Sequence, residues 1–96
     1  MTTTINDHDI EAMPIRLLLV RYLMASYLYY IHDLPSPWHD TQYDQACKRL
    51  LKEWHTFEHQ HKHLTDESAL AAGSGYHIRW YPSIIQSCAL KWGGHR

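Results

Sequence analysis

The sequence predicts a mainly α protein: an antiparallel helical hairpin, then a short irregular or extended segment, then a C-terminal helix. Three observations carry that prediction. Apolar side chains recur at helical spacing before a proline-rich break at 35–37, they recur again after it, and a third apolar stripe follows Pro82. A chain of 96 residues has enough length for one domain with a modest core, since chains of this size bury somewhat over roughly 60% of their unfolded surface. One domain over 1–96 is the expectation.

Residues 1–9 lack periodicity and read as a flexible arm, polar and acidic, without the basic start of a secretory signal. Pro14 suits a first helical turn, where its missing N–H costs nothing. Ile15, Leu18, Leu19, Tyr22, Leu23, Ser26, Tyr29 and Tyr30 then make one stripe, and Leu17, Val20, Met24 and Leu28 a second. The spacing predicts a first helix over 13–32, central and covered on more than one side. Its apolar run, Ile15 to Ile31, contains Arg16 and Arg21 and falls short of the ~20 residues that span a bilayer.

Pro35 and Pro37 disfavour helical conformation in the residues before them, so the first helix stops near His32. Asp40 is an N-cap candidate for a second helix over 40–59, with Tyr43, Ala46, Cys47, Leu50, Leu51, Trp54 and Phe57 along its apolar side. A short loop between two such helices favours a hairpin, which sets the Tyr-rich end of one beside the Asp-rich start of the other. Asp66 is placed to cap a short turn over 67–72 that Gly73 ends. Tyr76 to Tyr81 alternates as a short extended segment, and the last helix lies near 82–92 with Gly93 as its stop.

Nine Lys plus Arg against ten Asp plus Glu give a net charge of −1, too little field to hold a polyanion. Nucleic-acid binding is not indicated. Cys47 and Cys88 sit at helical apolar positions and read as reduced core thiols of a cytoplasmic protein.

The stretch Tyr27 to Asp44, YLYYIHDLPSPWHDTQYD, packs aromatics and carboxylates around the proline loop. Tyr29 and Tyr30 close the first helix; Asp40, Tyr43 and Asp44 open the second, with Asp40 and Asp44 one turn apart on one face. Such a pocket suits a flat cationic ring bearing hydroxyls, which gains ~0.5–2 kcal/mol per well-placed ring from cation–π attraction while carboxylates accept from the hydroxyls. Tyrosines at this spacing also serve as core residues, and Asp40 also serves as a cap.

The pattern Y-L-Y-Y-x-x-D-x-P followed by D-x-x-Y-D and a Leu-rich helix resembles the small N-terminal helical domain (Ia) of NAD-dependent bacterial DNA ligases, whose signature is close to Y-L-Y-H-x-x-D-x-P-x-x-x-D-x-E-Y-D. The resemblance runs over about Leu18 to His59, within a 13–59 hairpin, and leaves 60–96 as an extension. It implies that Tyr29, Tyr30, Asp40, Tyr43 and Asp44 contact the nicotinamide mononucleotide half of NAD. The chain departs from the signature at Tyr30, where the family has His, at Gln42, where it has Glu, and by one extra loop residue before Asp40.

None of Lys48, Lys52, Lys62 or Lys91 stands in the K-x-D-G motif that ligase adenylation needs, so catalysis by this chain alone is not expected. The resemblance then implies either a nicotinamide nucleotide-binding module or a trans-acting subunit or modulator of a ligase, the latter using the aromatic residues of the C-terminal half against a ligase adenylation domain or another protein. A compact genome such as a phage's suits a free-standing copy. Hydrolysis of a nicotinamide nucleotide, with Asp40 or Asp44 holding ribose hydroxyls, is a third reading.

His55, His59 and His63 fall one turn apart if the second helix continues, and paired imidazoles at that spacing can ligate zinc. No H-E-x-x-H order and no nearby cysteine accompany them. A solvated helix end is the expectation there, with no metal. No Ser-His-Asp or Cys-His order stands in a nucleophile context.

Overall fold

The computed structural model describes residues 9–93. Most of the arm predicted over 1–9 therefore lies outside the described residues. Four α-helices occur in order, α1 (Ile15–Ser26), α2 (Asp40–Lys52), α3 (Glu67–Ala72) and α4 (Ser83–Gly93), and no strand occurs among the described residues. The mainly α class is what the sequence predicts.

Helix α1 is the central element. Leu18, Leu19, Tyr22, Leu23, Met24, Ala25 and Ser26 are all buried, as expected of a helix covered on more than one side, and α2 and α4 both pack on it. Helix α2 runs in the opposite direction to α1. At one end Ser26 is hydrogen-bonded to Tyr43, and at the other the Arg49 guanidinium donates to the carbonyls of Ile10 and Met13. Arg49 also pairs with Glu53 at 2.7 Å, so its charge-assisted bonds fasten the segment that precedes α1.

The first helix does not continue regularly to residue 32. Tyr27–Ile31 forms a π-helical turn, one residue wider than an α-turn. Leu28 stays in the core on the stripe of Met24, Tyr27 is buried beside it, and the widened turn brings Tyr29 out at 61% exposure. Asp33 then takes a left-handed conformation (φ 54°), and the Leu34 N–H reaches back to the Leu28 carbonyl at 2.9 Å. That bond closes the widened turn.

The second helix is shorter than its pattern predicts, ending at Lys52 instead of 59. Beyond it, the Lys62 ammonium donates to the carbonyls of Trp54 and Phe57 and lies 4.7 Å from the centre of each of their rings. The Trp54 carbonyl, which a helix running to 59 would pair internally, is taken by that cation instead. Phe57 still reaches the core.

Helix α3 forms where its signals stand. The Asp66 side chain accepts from the Ala69 N–H at 2.9 Å, Gly73 is left-handed (φ 67°), and the Ser74 and Gly73 N–H groups return to the Ala69 and Leu70 carbonyls. The predicted extended segment is not a strand: Ile78 N–H bonds the Gly75 carbonyl in a turn. Ile78 and Tyr81 are buried while Tyr76 and Trp80 are exposed. With no partner strand to impose alternation, burial follows the turn.

Gly93, expected to stop the last helix, is the last residue of α4. A Cβ there would lie 2.6 Å from Pro37 and 3.1 Å from Leu28, so the helix end is pressed against the proline loop. Beside it, Trp38 and Trp92 meet edge to face with ring centres 5.6 Å apart. Helix α4 thereby holds the loop between α1 and α2.

Arg49→Ala should destabilise the fold by about 1.5–3 kcal/mol, the worth of hydrogen bonds from a charged donor. Lys48→Ala, which removes an exposed ion pair with Asp44, should change stability by less than about 0.5 kcal/mol. Urea denaturation of the two variants separates the cases.

Candidate functional site

A cleft of about 390 Å³ opens between the π-turn, the proline loop and the start of α2. That volume lies within the range of ~300–1,000 Å³ usual for small-molecule sites. Tyr29, Tyr30, Asp40, Tyr43 and Asp44 all line it, so the residues singled out from the sequence share one concavity.

They do not share one role in its construction. Tyr29 and Tyr30 form the aromatic wall, their rings edge to face at 4.8 Å, and the Tyr30 hydroxyl meets Ser74 Oγ at 3.3 Å. Tyr43 faces inward. Its hydroxyl lies 2.7 Å from Ser26 Oγ, and Ser26 donates its own proton to the Tyr22 carbonyl at 2.8 Å, so Tyr43 is the donor to Ser26. Tyr43 therefore offers the cleft the flank of its ring and not its hydroxyl.

Burial drives the Tyr43 hydroxyl pKa well above its ordinary value, and the neighbouring Tyr22 adds to the effect. Tyr22 is raised in the same direction, again by burial first. Its hydroxyl donates to the Ser74 carbonyl at 2.8 Å and lies 3.0 Å from Thr65 Oγ1. Gly75 backs this network. A Cβ at that position would stand 2.4 Å from Ser26 Oγ and 2.9 Å from the Tyr43 hydroxyl, which no side chain can accept.

The carboxylates occupy the rim. Asp40 is exposed in the first turn of α2, where the helix dipole favours negative charge. It is not the N-cap. His39 takes that place, and its N–H donates to the Gln42 side chain at 2.7 Å. Gln at the third helical position reaches back to the cap amide, which leaves the Asp40 side chain out of the capping arrangement. Asp44 carries Lys48 at 2.9 Å on its outer side and has the Gly73 backbone close to its Oδ1.

Ala25, Pro35, Ser36, Trp38, His39 and Gly73 also line the cleft, and the sequence named none of them as a site residue. Ala25 lies four residues before Tyr29 and is buried. Gly73 arrives from α3, which no local spacing foretells. Among the lining residues there is neither lysine nor arginine. The cleft presents aromatic faces and two carboxylates, a setting for a flat cation with hydroxyls.

The histidine candidates are not assembled as the helical spacing implied. Because α2 ends at Lys52, His55, His59 and His63 do not follow one another on a helical face. His55 lies 3.5 Å from Glu67, while His59 Nδ1 accepts the His61 N–H at 3.0 Å. Burial, then His61, then Arg16 lower the His59 pKa. Among the described residues no group of three or more His, Cys, Asp or Glu side chains is placed to hold a metal ion.

No helix among the described residues is long and apolar enough to cross a membrane. Comparison of the chain with protein-family models, curated proteins and solved structures finds no match.

Alkaline pH should unfold the protein. Burial raises the Tyr22, Tyr43 and Tyr81 hydroxyls above their ordinary value of 10.0 and pushes the Cys47 thiol from 9.0 up to about 12. Above those ordinary values the unfolded chain loses protons that the folded chain keeps, so stability, full below pH 9, falls as pH rises. Tyrosinate absorption from these three residues should appear together with the loss of helical circular dichroism. Gly75→Ala should destabilise by about 1–3 kcal/mol through overpacking, measured by thermal denaturation.

Proposed function

We propose that this protein is a free-standing relative of the ligase Ia module that binds the nicotinamide mononucleotide part of NAD and carries out no reaction alone. The observation that supports the reading is the convergence of Tyr29, Tyr30, Asp40, Tyr43 and Asp44 on one cleft. The pyridinium ring stacks against Tyr29 and Tyr30, and the ribose hydroxyls donate to Asp40 and Asp44. Gln42, at the position of the family's Glu, keeps the acceptor that caps α2. Tyr30, at the position of the family's His, keeps a stacking surface.

A second reading has its own support. Tyr76, Trp80 and Ile84 are 67%, 62% and 60% exposed, an aromatic and aliphatic surface on the C-terminal half. On that reading the module docks on a ligase adenylation domain, as a subunit in trans or as a modulator. Size-exclusion chromatography with an NAD-dependent ligase adenylation domain tests it, and Trp80→Ala should abolish co-elution.

For the nucleotide reading, amide NMR titration with nicotinamide mononucleotide and with NAD is decisive. Shifts should concentrate around Tyr29, Tyr43 and Asp44, and their absence at millimolar ligand would overturn it. Tyr29→Ala removes an exposed ring and should weaken binding by ~0.5–2 kcal/mol, the worth of one cation–π contact, with the fold unchanged.

A further inference from the structure

The cleft has a polarity that extends beyond its lining. Its rim carries Asp40 and Asp44, its lining carries no lysine or arginine, and the nearest lysine on that face of α2, Lys48, is engaged with Asp44 at 2.9 Å. A phosphate placed among these groups faces two carboxylates, with no cation but Lys48, already paired to Asp44, to offset them. Tyr30 continues outward, however. Its ring meets that of Tyr76 edge to face with centres 6.0 Å apart, and the Arg79 guanidinium lies 5.6 Å from the centre of the Tyr76 ring. Arg79 is exposed and, among the described residues, makes no ion pair with a carboxylate.

The geometry points to Arg79 as the group that receives the ligand's phosphate. The inference rests on the nicotinamide nucleotide reading and deepens it by giving the bound molecule a direction. The cationic ring sits at the Tyr29–Tyr30 wall beside the carboxylates, and the anionic end leaves the cleft along Tyr76. A guanidinium held over an aromatic face keeps its N–H edge open to a phosphate, which it binds with charge-assisted hydrogen bonds. A ligand with positive and negative ends matches this arrangement at both ends; a phosphate turned the other way faces Asp40 and Asp44. Arg79 stands in the segment after Gly75, outside the stretch that carries the sequence resemblance.

Two probes differ only in the phosphate: nicotinamide riboside and nicotinamide mononucleotide. Their affinities are measured by NMR titration of the full chain and of Arg79→Gln. The variant should bind the mononucleotide about fivefold more weakly, as loss of one exposed charge-assisted contact implies, and the riboside with unchanged affinity, which also reports that the cleft is intact. Raising ionic strength should shrink the difference between the two proteins for the mononucleotide. If both probes bind and Arg79→Gln leaves their affinity ratio unaltered, Arg79 is not the phosphate contact and this inference alone falls. If neither probe binds the unsubstituted protein, the nicotinamide reading falls and takes the inference with it.

Discussion

The hydrogen bond between Ser26 and Tyr43 is the constraint on which the arrangement depends. A serine near the end of a buried helix needs partners for its hydroxyl, and Ser26 has them on both sides: it donates to the Tyr22 carbonyl in its own helix and accepts from Tyr43 in α2. The bond sets the register of the hairpin. It also brings the start of α2 against the end of α1, where the cleft forms. Gly75 lies against both groups, so the connection after α3 reaches the same point through a residue without a side chain. Tyr22, one turn earlier, repeats the device with Thr65 and the Ser74 carbonyl.

A cleft between two helix ends needs its connecting loop held in place. Here the C-terminal helix supplies that support, through Trp92 against Trp38 and Gly93 against Pro37. Arg21 adds to the contact, its guanidinium 5.3 Å from the Trp92 ring centre. The part of the chain with no counterpart in the sequence resemblance is thus the part that fixes the loop. These contacts fix the backbone from which the aromatic wall and the carboxylate rim project.

The π-turn serves the same end. Regular continuation of α1 would carry the stripe of Tyr22 and Ser26 on to Tyr29 and Tyr30 and bury them. With the inserted residue, Tyr27 is buried beside Leu28 and Tyr29 is left exposed at the mouth of the cleft. Tyr27 is satisfied within, against His32 at 2.8 Å and Gln86 at 3.3 Å. Widened turns of this type recur at functional sites because they re-aim side chains without breaking the helix.

Apolar spacing and caps were enough to determine the helical class and the position of α3 between Asp66 and Gly73, and the density of aromatics and carboxylates picked out the stretch from Tyr27 to Asp44, most of whose named residues line the cleft. Those signals are local, since a cap acts within one turn and a stripe within one helix. The end of α2 at Lys52, the inward turn of the Tyr43 hydroxyl and the scattering of His55, His59 and His63 were decided by tertiary contacts. Lys62 takes the Trp54 carbonyl that a longer helix would have used, and Ser26 takes the hydroxyl that the pattern alone left free. Each is a hydrogen bond between residues distant along the chain or belonging to different elements, and periodicity carries no information about such partners.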